Sequence, residues 1–208
     1  MSGAMPGGPA DDLERQVARY LAELTTHPDR RVGGPGNRAA TAFFARVTQD
    51  LDWEVSRREF ACLDWNEGGG VIEAGGVRLP VHVGPYSPSC DLEVPLVAVS
   101  AVEELEREDV RGTIVLLHGQ IASGQVMPRN FRFYNPEEHQ RIYRALDQSA
   151  PAAVVAATGR DPSMVGSQYP FPLFEDGDLD VANAYLRDTD GERLLAYVGQ
   201  QVRLRLES

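Results

Sequence analysis

Three pieces set the architecture: Gly112-Thr113-Ile114-Val115-Leu116-Leu117-His118, then Asn135-Pro136-Glu137-Glu138, then Ala153-Val154-Val155-Ala156-Ala157. The first and last are short, continuous apolar runs, the pattern of strands buried on both faces. In the middle piece, Asn135 stands where a helix cap belongs, Pro136 at the first helical position, and acids fill the first turn. Ile142, Tyr143 and Leu146 then share one helical face, and the pattern stops near Ser149, ahead of Pro151. Strand 113–118, helix 136–148 and strand 153–157 therefore read as a βαβ crossover, with two parallel strands under one helix.

Working outward, residues 94–99 form another apolar run, followed by Ser100 and Glu103 at capping spacing for a short helix to Arg107. Upstream, residues 71–74 and 77–83 flank Gly75-Gly76, a hairpin signal. Residues 84–91 and 159–178 are rich in loop formers. Downstream, 181–187 is strand-like and 188–191 turn-like. Val202, Leu204 and Leu206 alternate with Arg203, Arg205 and Glu207, a half-buried strand. Toward the N-terminus, Asp11 and Glu14 have capping-box spacing, and Leu13, Val17, Leu21 and Leu24 form a helical stripe that ends before Pro28. Gly33, Gly34, Pro35 and Gly36 then make a shaped turn, with Asn37 as expected N-cap of a helix over 38–51. Trp53, Val55 and Phe60 suggest an imperfect strand. The whole is an α+β chain.

With 208 residues, the length suits one larger domain, or one domain plus part of a second. A formal charge of -11 repels phosphate backbones, which excludes nucleic acid as a partner. All 20 basic residues are Arg, so neither Schiff-base nor P-loop lysine chemistry is available. No apolar run approaches the ~20 residues of a bilayer span, so no membrane association is expected. Residues 1–12 read as a flexible leader without secretory character, which makes the cytoplasm the expected compartment. Cys62 and Cys90 lie too far apart for a zinc pattern and read as buried or free thiols.

The usual catalytic constellations are missing from the sequence. His27, His82, His118 and His139 stand singly, with no His-Glu-x-x-His. No Gly-x-Ser-x-Gly elbow, Walker motif or dinucleotide fingerprint is present. Glu175, Asp176, Asp178 and Asp180 lack EF-hand spacing and read as a solvated acidic loop. His139, beside Glu137 and Glu138, is expected to face water, and His118 to end an apolar strand as a satisfied core or edge residue. The unusual stretch is residues 127–136, which packs three aromatics and two arginines into a long loop. Loops of that length tend to serve function, and Arg and aromatics are enriched at interface hot spots. Arg129, Asn130, Phe131, Phe133 and Tyr134 are the candidate contacts for a partner or for controlling substrate access, the alternative being that the aromatics plug the local core.

The glycine turn and its helix, residues 110–117, the segment 127–139, and Pro172-Leu173-Phe174-Glu175-Asp176-Gly177-Asp178, in this order, resemble the co-catalytic di-zinc aminopeptidases. That resemblance extends from about Leu13 to Ser208. It implies N-terminal helices and a first peptidase strand over 13–61, a protease-associated (PA) insertion domain over 62–178, and a return segment with a terminal strand over 179–208. Strands 53–61 and 200–207 would then pair antiparallel in an α/β exopeptidase sheet. In that family the zinc ligands and the general-base glutamate follow this region, so no catalytic or metal residue carries over. Zinc is expected only in a catalytic half outside this sequence. The implied partners are a peptidase catalytic domain or subunit, or a second copy; the alternative is a free-standing protein-interaction module. On this reading Gly33, Gly34, Pro35, Gly36 and Asn37 form a structural bend.

Overall fold

A computed structural model describes residues 9–27, 30–158, 172–175 and 179–208. The expected leader falls largely outside these residues, as do Pro28, most of loop 159–178, and Asp176 and Asp178 of the acidic cluster. The chain divides into two compact units, Met1–Asp64 and Trp65–Ser208.

The second unit is a closed seven-stranded barrel in the order β1-β2-β6-β5-β4-β3-β7. Its strands are β1 (Gly69–Ala74), β2 (Val77–Val83), β3 (Cys90–Val99), β4 (Ile114–Leu117), β5 (Ala153–Thr158), β6 (Ala182–Arg187) and β7 (Gln201–Glu207). The β1–β2 hairpin turns at Gly75 and Gly76, whose φ values of +52° and +81° are the left-handed conformations a two-residue turn demands. Strands β3, β4, β5 and β6 run parallel to their neighbours in that order, while β7 closes the ring antiparallel to both β1 and β3.

Burial follows this topology. In β7, Val202, Leu204 and Leu206 point inward and Arg203, Arg205 and Glu207 outward. Every residue of β4 and β5 is buried, because helices cover the outside of the parallel strands. Inside, Ile72, Leu79, Val81, Leu96, Ile114, Leu116, Val155 and Leu204 fill the barrel, with alanines of β5 and β6 among them. Outside, α3 (Val102–Arg107) and α4 (Glu137–Ser149) pack Leu105, Ile142, Tyr143 and Leu146 on Val115, Leu117 and Val154. The βαβ crossover expected over 113–157 is present as β4–α4–β5.

Several expected boundaries move. Helix α4 has Pro136, not Asn135, at its cap position, because the Asn135 amide turns to the carbonyl of Arg129 (2.8 Å). Helix α3 begins at Val102, with Glu104 rather than Glu103 reaching back, to the amide and hydroxyl of Ser100 (2.7 and 2.9 Å). Residues 188–191 are not a turn but the start of α5 (Asp188–Leu194), where the Asp188 carboxylate accepts from the amide of Thr189.

The first unit holds α1 (Pro9–Thr25) and α2 (Pro35–Gln49). Helix α1 already runs at Asp11, so Asp11 does not cap it. Residues 53–68 form no strand. The expected pairing of 53–61 with 200–207 is therefore absent: β7 spends both edges on β1 and β3, which bury its apolar face. Within this unit Ala45 is the single buried apolar residue among those described, while Leu13, Val17, Leu21, Phe44, Trp53 and Phe60 are exposed. Tyr20 and Phe43 meet edge-on at 5.9 Å between α1 and α2. Among the described residues, no helix is long and apolar enough to cross a membrane.

Candidate functional site

The loop from Val126 to Pro136 joins the short 3-10 turn after β4 to the start of α4, and a series of polar contacts holds it. The amide of Val126 donates to the carbonyl of Leu173 (2.9 Å). The amide of Met127 donates to Nδ1 of His139 (3.0 Å). The Arg129 guanidinium forks onto both oxygens of Asp147 (2.6 and 2.8 Å) and lies 4.6 Å from the centre of the Tyr143 ring. Asn135 and Gln140 both donate to the carbonyl of Arg129. A loop tied at this many points is pre-ordered, which lowers the entropy lost when it meets a partner.

What the loop displays is apolar. Phe131, Phe133 and Tyr134 are 43%, 93% and 63% exposed, and Phe131 and Phe133 meet edge-on at 6.1 Å. Asn130 and Arg132 are exposed beside them. The candidate residues thus divide by geometry. Arg129 turns inward and braces the loop, whereas Asn130, Phe131, Phe133 and Tyr134 face out. His139 is not the water-facing residue the sequence suggests. It is half-buried, and burial pushes its imidazole below the usual histidine range against the opposing pull of Glu138.

In the first unit, Gly33 takes φ +79°, and its amide neighbour Gly34 closes the turn onto the carbonyl of Arg31 (2.9 Å). Gly34 occupies the cap position of α2 and Pro35 the first turn, where its missing N–H costs nothing. Asn37 consequently lies inside the helix instead of capping it. A side chain at Gly33 would collide with the thiol of Cys62, which also approaches the carbonyl of Val32 (3.8 Å). Arg31 reaches Asp64 at 3.6 Å. The turn packs on its own unit, and Gly36 and Asn37 continue it into α2.

Two further clusters come together. A groove of about 480 Å³ between α3 and α4 is lined by Glu106, Asp109, Arg111, Arg141 and Arg144. Within it Arg141 is committed to Glu106 (2.6 Å) and also reaches Glu103 (3.0 Å), and Arg144 pairs with Glu137. At the β2–β6 seam, His82 stacks on Tyr185 at 5.2 Å and stands 3.4 Å from Glu67. Strand pairing joins His82 and Tyr185, the Glu67 carboxylate reaches them from the segment before β1, and no local spacing announces the three. Among the described residues no three His, Cys, Asp or Glu side chains converge into a metal site, so the described residues do not fit a zinc centre.

No family model matches the chain, and no curated protein matches it. Its fold is similar to part of that of solved aminopeptidases. The aminopeptidase from Aneurinibacillus sp. strain AM-1 superposes with a TM-score of 0.57 at 16% identity, over 90% of this chain and 42% of that one. A peptidase M28 precursor from Shewanella amazonensis SB2B gives 0.59 at 15%, over 91% and 45%. BSAP, a zinc aminopeptidase from Bacillus subtilis, gives 0.56 at 13%, over 91% and 42%. The chain spans less than half the length of these structures.

Proposed function

We propose that this chain is the non-catalytic, PA-containing portion of a zinc aminopeptidase-like protein, acting beside a peptidase catalytic half that supplies the metal and the hydrolysis. The observation that carries this reading is the exposed apolar stripe of α1. Leu13, Val17 and Leu21 repeat along α1 at helical spacing and all three are exposed. A stripe of that kind forms where a helix packs on something, and large exposed apolar patches mark such contacts. The shared fold with aminopeptidase structures about twice this length supports a peptidase half as the covering body. In this reading the Phe131–Tyr134 loop shapes substrate access or holds a protein partner.

The test is direct. The purified chain, incubated with zinc, should neither hold the metal stoichiometrically nor cleave an aminoacyl-anilide, and a zinc-peptidase chain should co-purify with it from its own cells. Stoichiometric zinc together with cleavage would overturn the proposal. A second reading, a free-standing protein-interaction module, draws on the closed barrel, which needs no further strand to complete its hydrogen bonding. Recovery of unrelated proteins in place of a peptidase would favour it.

A further inference from the structure

We infer that His139 is a pH-sensitive latch on the aromatic loop: its neutral ring holds Met127 in place, and its protonation releases residues 127–134. The inference rests on the reading of this loop as a contact surface and adds a control to it. Nδ1 of His139 accepts the Met127 amide N–H at 3.0 Å. That bond exists only while Nδ1 carries a lone pair, with the ring proton on Nε2. A protonated ring would present an N–H to an N–H at the same distance, and the contact would have to open.

Among the other anchors, the Asn135 and Gln140 side-chain amides carry no ionisable group, and the Arg129 fork rests on Asp147. His139 is therefore the one loop anchor among the described contacts whose charge changes near neutrality. The surroundings of the ring set the direction. On α4 itself, Glu137 and Glu138 flank it, and Glu138 favours the charged ring, while burial and the positive helix start disfavour it. From the loop, the nearby cation is Arg129, committed to Asp147. From α3, Glu103 and Glu106 pair with Arg141. From residues 172–175, which meet Val126, the charged side chain is Glu175. Burial prevails, so the ring titrates below its ordinary value when latched and regains that value when the loop opens. Acid therefore favours the open loop: the latch is closed above the ordinary histidine pKa of 6.5 and opens as pH falls through the lower, latched value.

The experiment is amide hydrogen exchange of the 125–135 peptide in the full chain at about pH 7.5 and pH 5, corrected for intrinsic exchange. Wild type should lose about five- to tenfold in protection at the lower pH, the worth of one half-buried hydrogen bond. His139→Gln, which keeps an acceptor and cannot be protonated, should hold its protection flat, and His139→Ala should show the lower, acid-state protection of wild type at both. Equal pH dependence in wild type and His139→Gln would overturn the latch, and so would full protection of His139→Ala at pH 7.5. Failure of the contact reading is separable. It would show as undiminished recovery of a peptidase chain with Phe133→Ala, a change that leaves the latch contacts intact.

Discussion

Removing the brace at Arg129 should loosen the aromatic loop by an amount the geometry sets. Two interactions are lost in Arg129→Ala. The first is a forked ion pair to Asp147 at 2.6 and 2.8 Å, with side chains 26% and 49% exposed. Fully exposed pairs are worth well under 1 kcal/mol, but forked geometry on a partly shielded arginine raises this to about 1 kcal/mol. The second is the guanidinium over the Tyr143 ring at 4.6 Å, worth about 1 kcal/mol where partly desolvated. The expected loss is therefore ~2 kcal/mol for Arg129→Ala and ~1 kcal/mol for Asp147→Asn, which spares the ring contact. Arg129→Lys should behave like Asp147→Asn, since an ammonium keeps the charge and loses the fork. At ~3 °C per kcal/mol for a unit of this size, Arg129→Ala should lower Tm by about 6 °C. Urea unfolding followed by circular dichroism measures each variant, and the double variant Arg129→Ala/Asp147→Ala gives the coupling, expected at ~1 kcal/mol. High salt should shrink the Asp147 contribution and spare that of Tyr143. If Arg129→Ala stays within ~0.5 kcal/mol of wild type, or the coupling is zero, the loop is not braced in this way.

Other outcomes follow from the same structure. Leu116→Ala, at a fully buried position inside the barrel, should cost ~3–4 kcal/mol in urea unfolding, whereas Phe133→Ala should cost less than ~0.5 kcal/mol; a costly Phe133→Ala would mean the ring packs inward. The Ser100 amide and hydroxyl hold the Glu104 carboxyl below its ordinary value of 4.5, so its stabilising effect is present above that value and lost as pH falls through the lower folded one. Glu104→Gln should flatten the acid limb of a stability-against-pH curve, and an unchanged limb would refute the assignment. The pair Val17→Asp and Leu21→Asp should leave the stability of the isolated chain within ~0.5 kcal/mol while abolishing recovery of a peptidase chain; loss of stability would show that the stripe is already covered. Adding a chelator should leave Tm unchanged, and a fall of several degrees would reveal a structural metal.

The apolar runs at 113–118 and 153–157, the helix between them and the Gly75-Gly76 hairpin were legible because each is set by side-chain period and local backbone chemistry over a few residues. The alternation in 201–207 correctly gave a half-buried strand. It could not say which neighbours the strand would find, and the expected pairing with 53–61 was replaced by pairing with β1 and β3. Helix starts shifted by a residue or more where a side chain had a better tertiary partner than its own helix end, as Asn135 had in the carbonyl of Arg129. In the candidate site the aromatic cluster of 131–134 was visible from composition, but its exposure was not, since composition serves a local core plug equally well. The inward turn of Arg129 depended on Asp147 and Tyr143, and the burial of His139 on Met127, twelve positions away. The Glu67, His82 and Tyr185 cluster was invisible, since the β2–β6 pairing and a side-chain reach from the segment before β1 join it. The sequence by itself determined which segments become strands and helices and which faces are apolar, because those properties repeat along the chain. Tertiary structure alone decided barrel closure, the parallel order β3 to β6 and the partners of each polar group. Those outcomes depend on strand pairings between distant residues, and no local period encodes them.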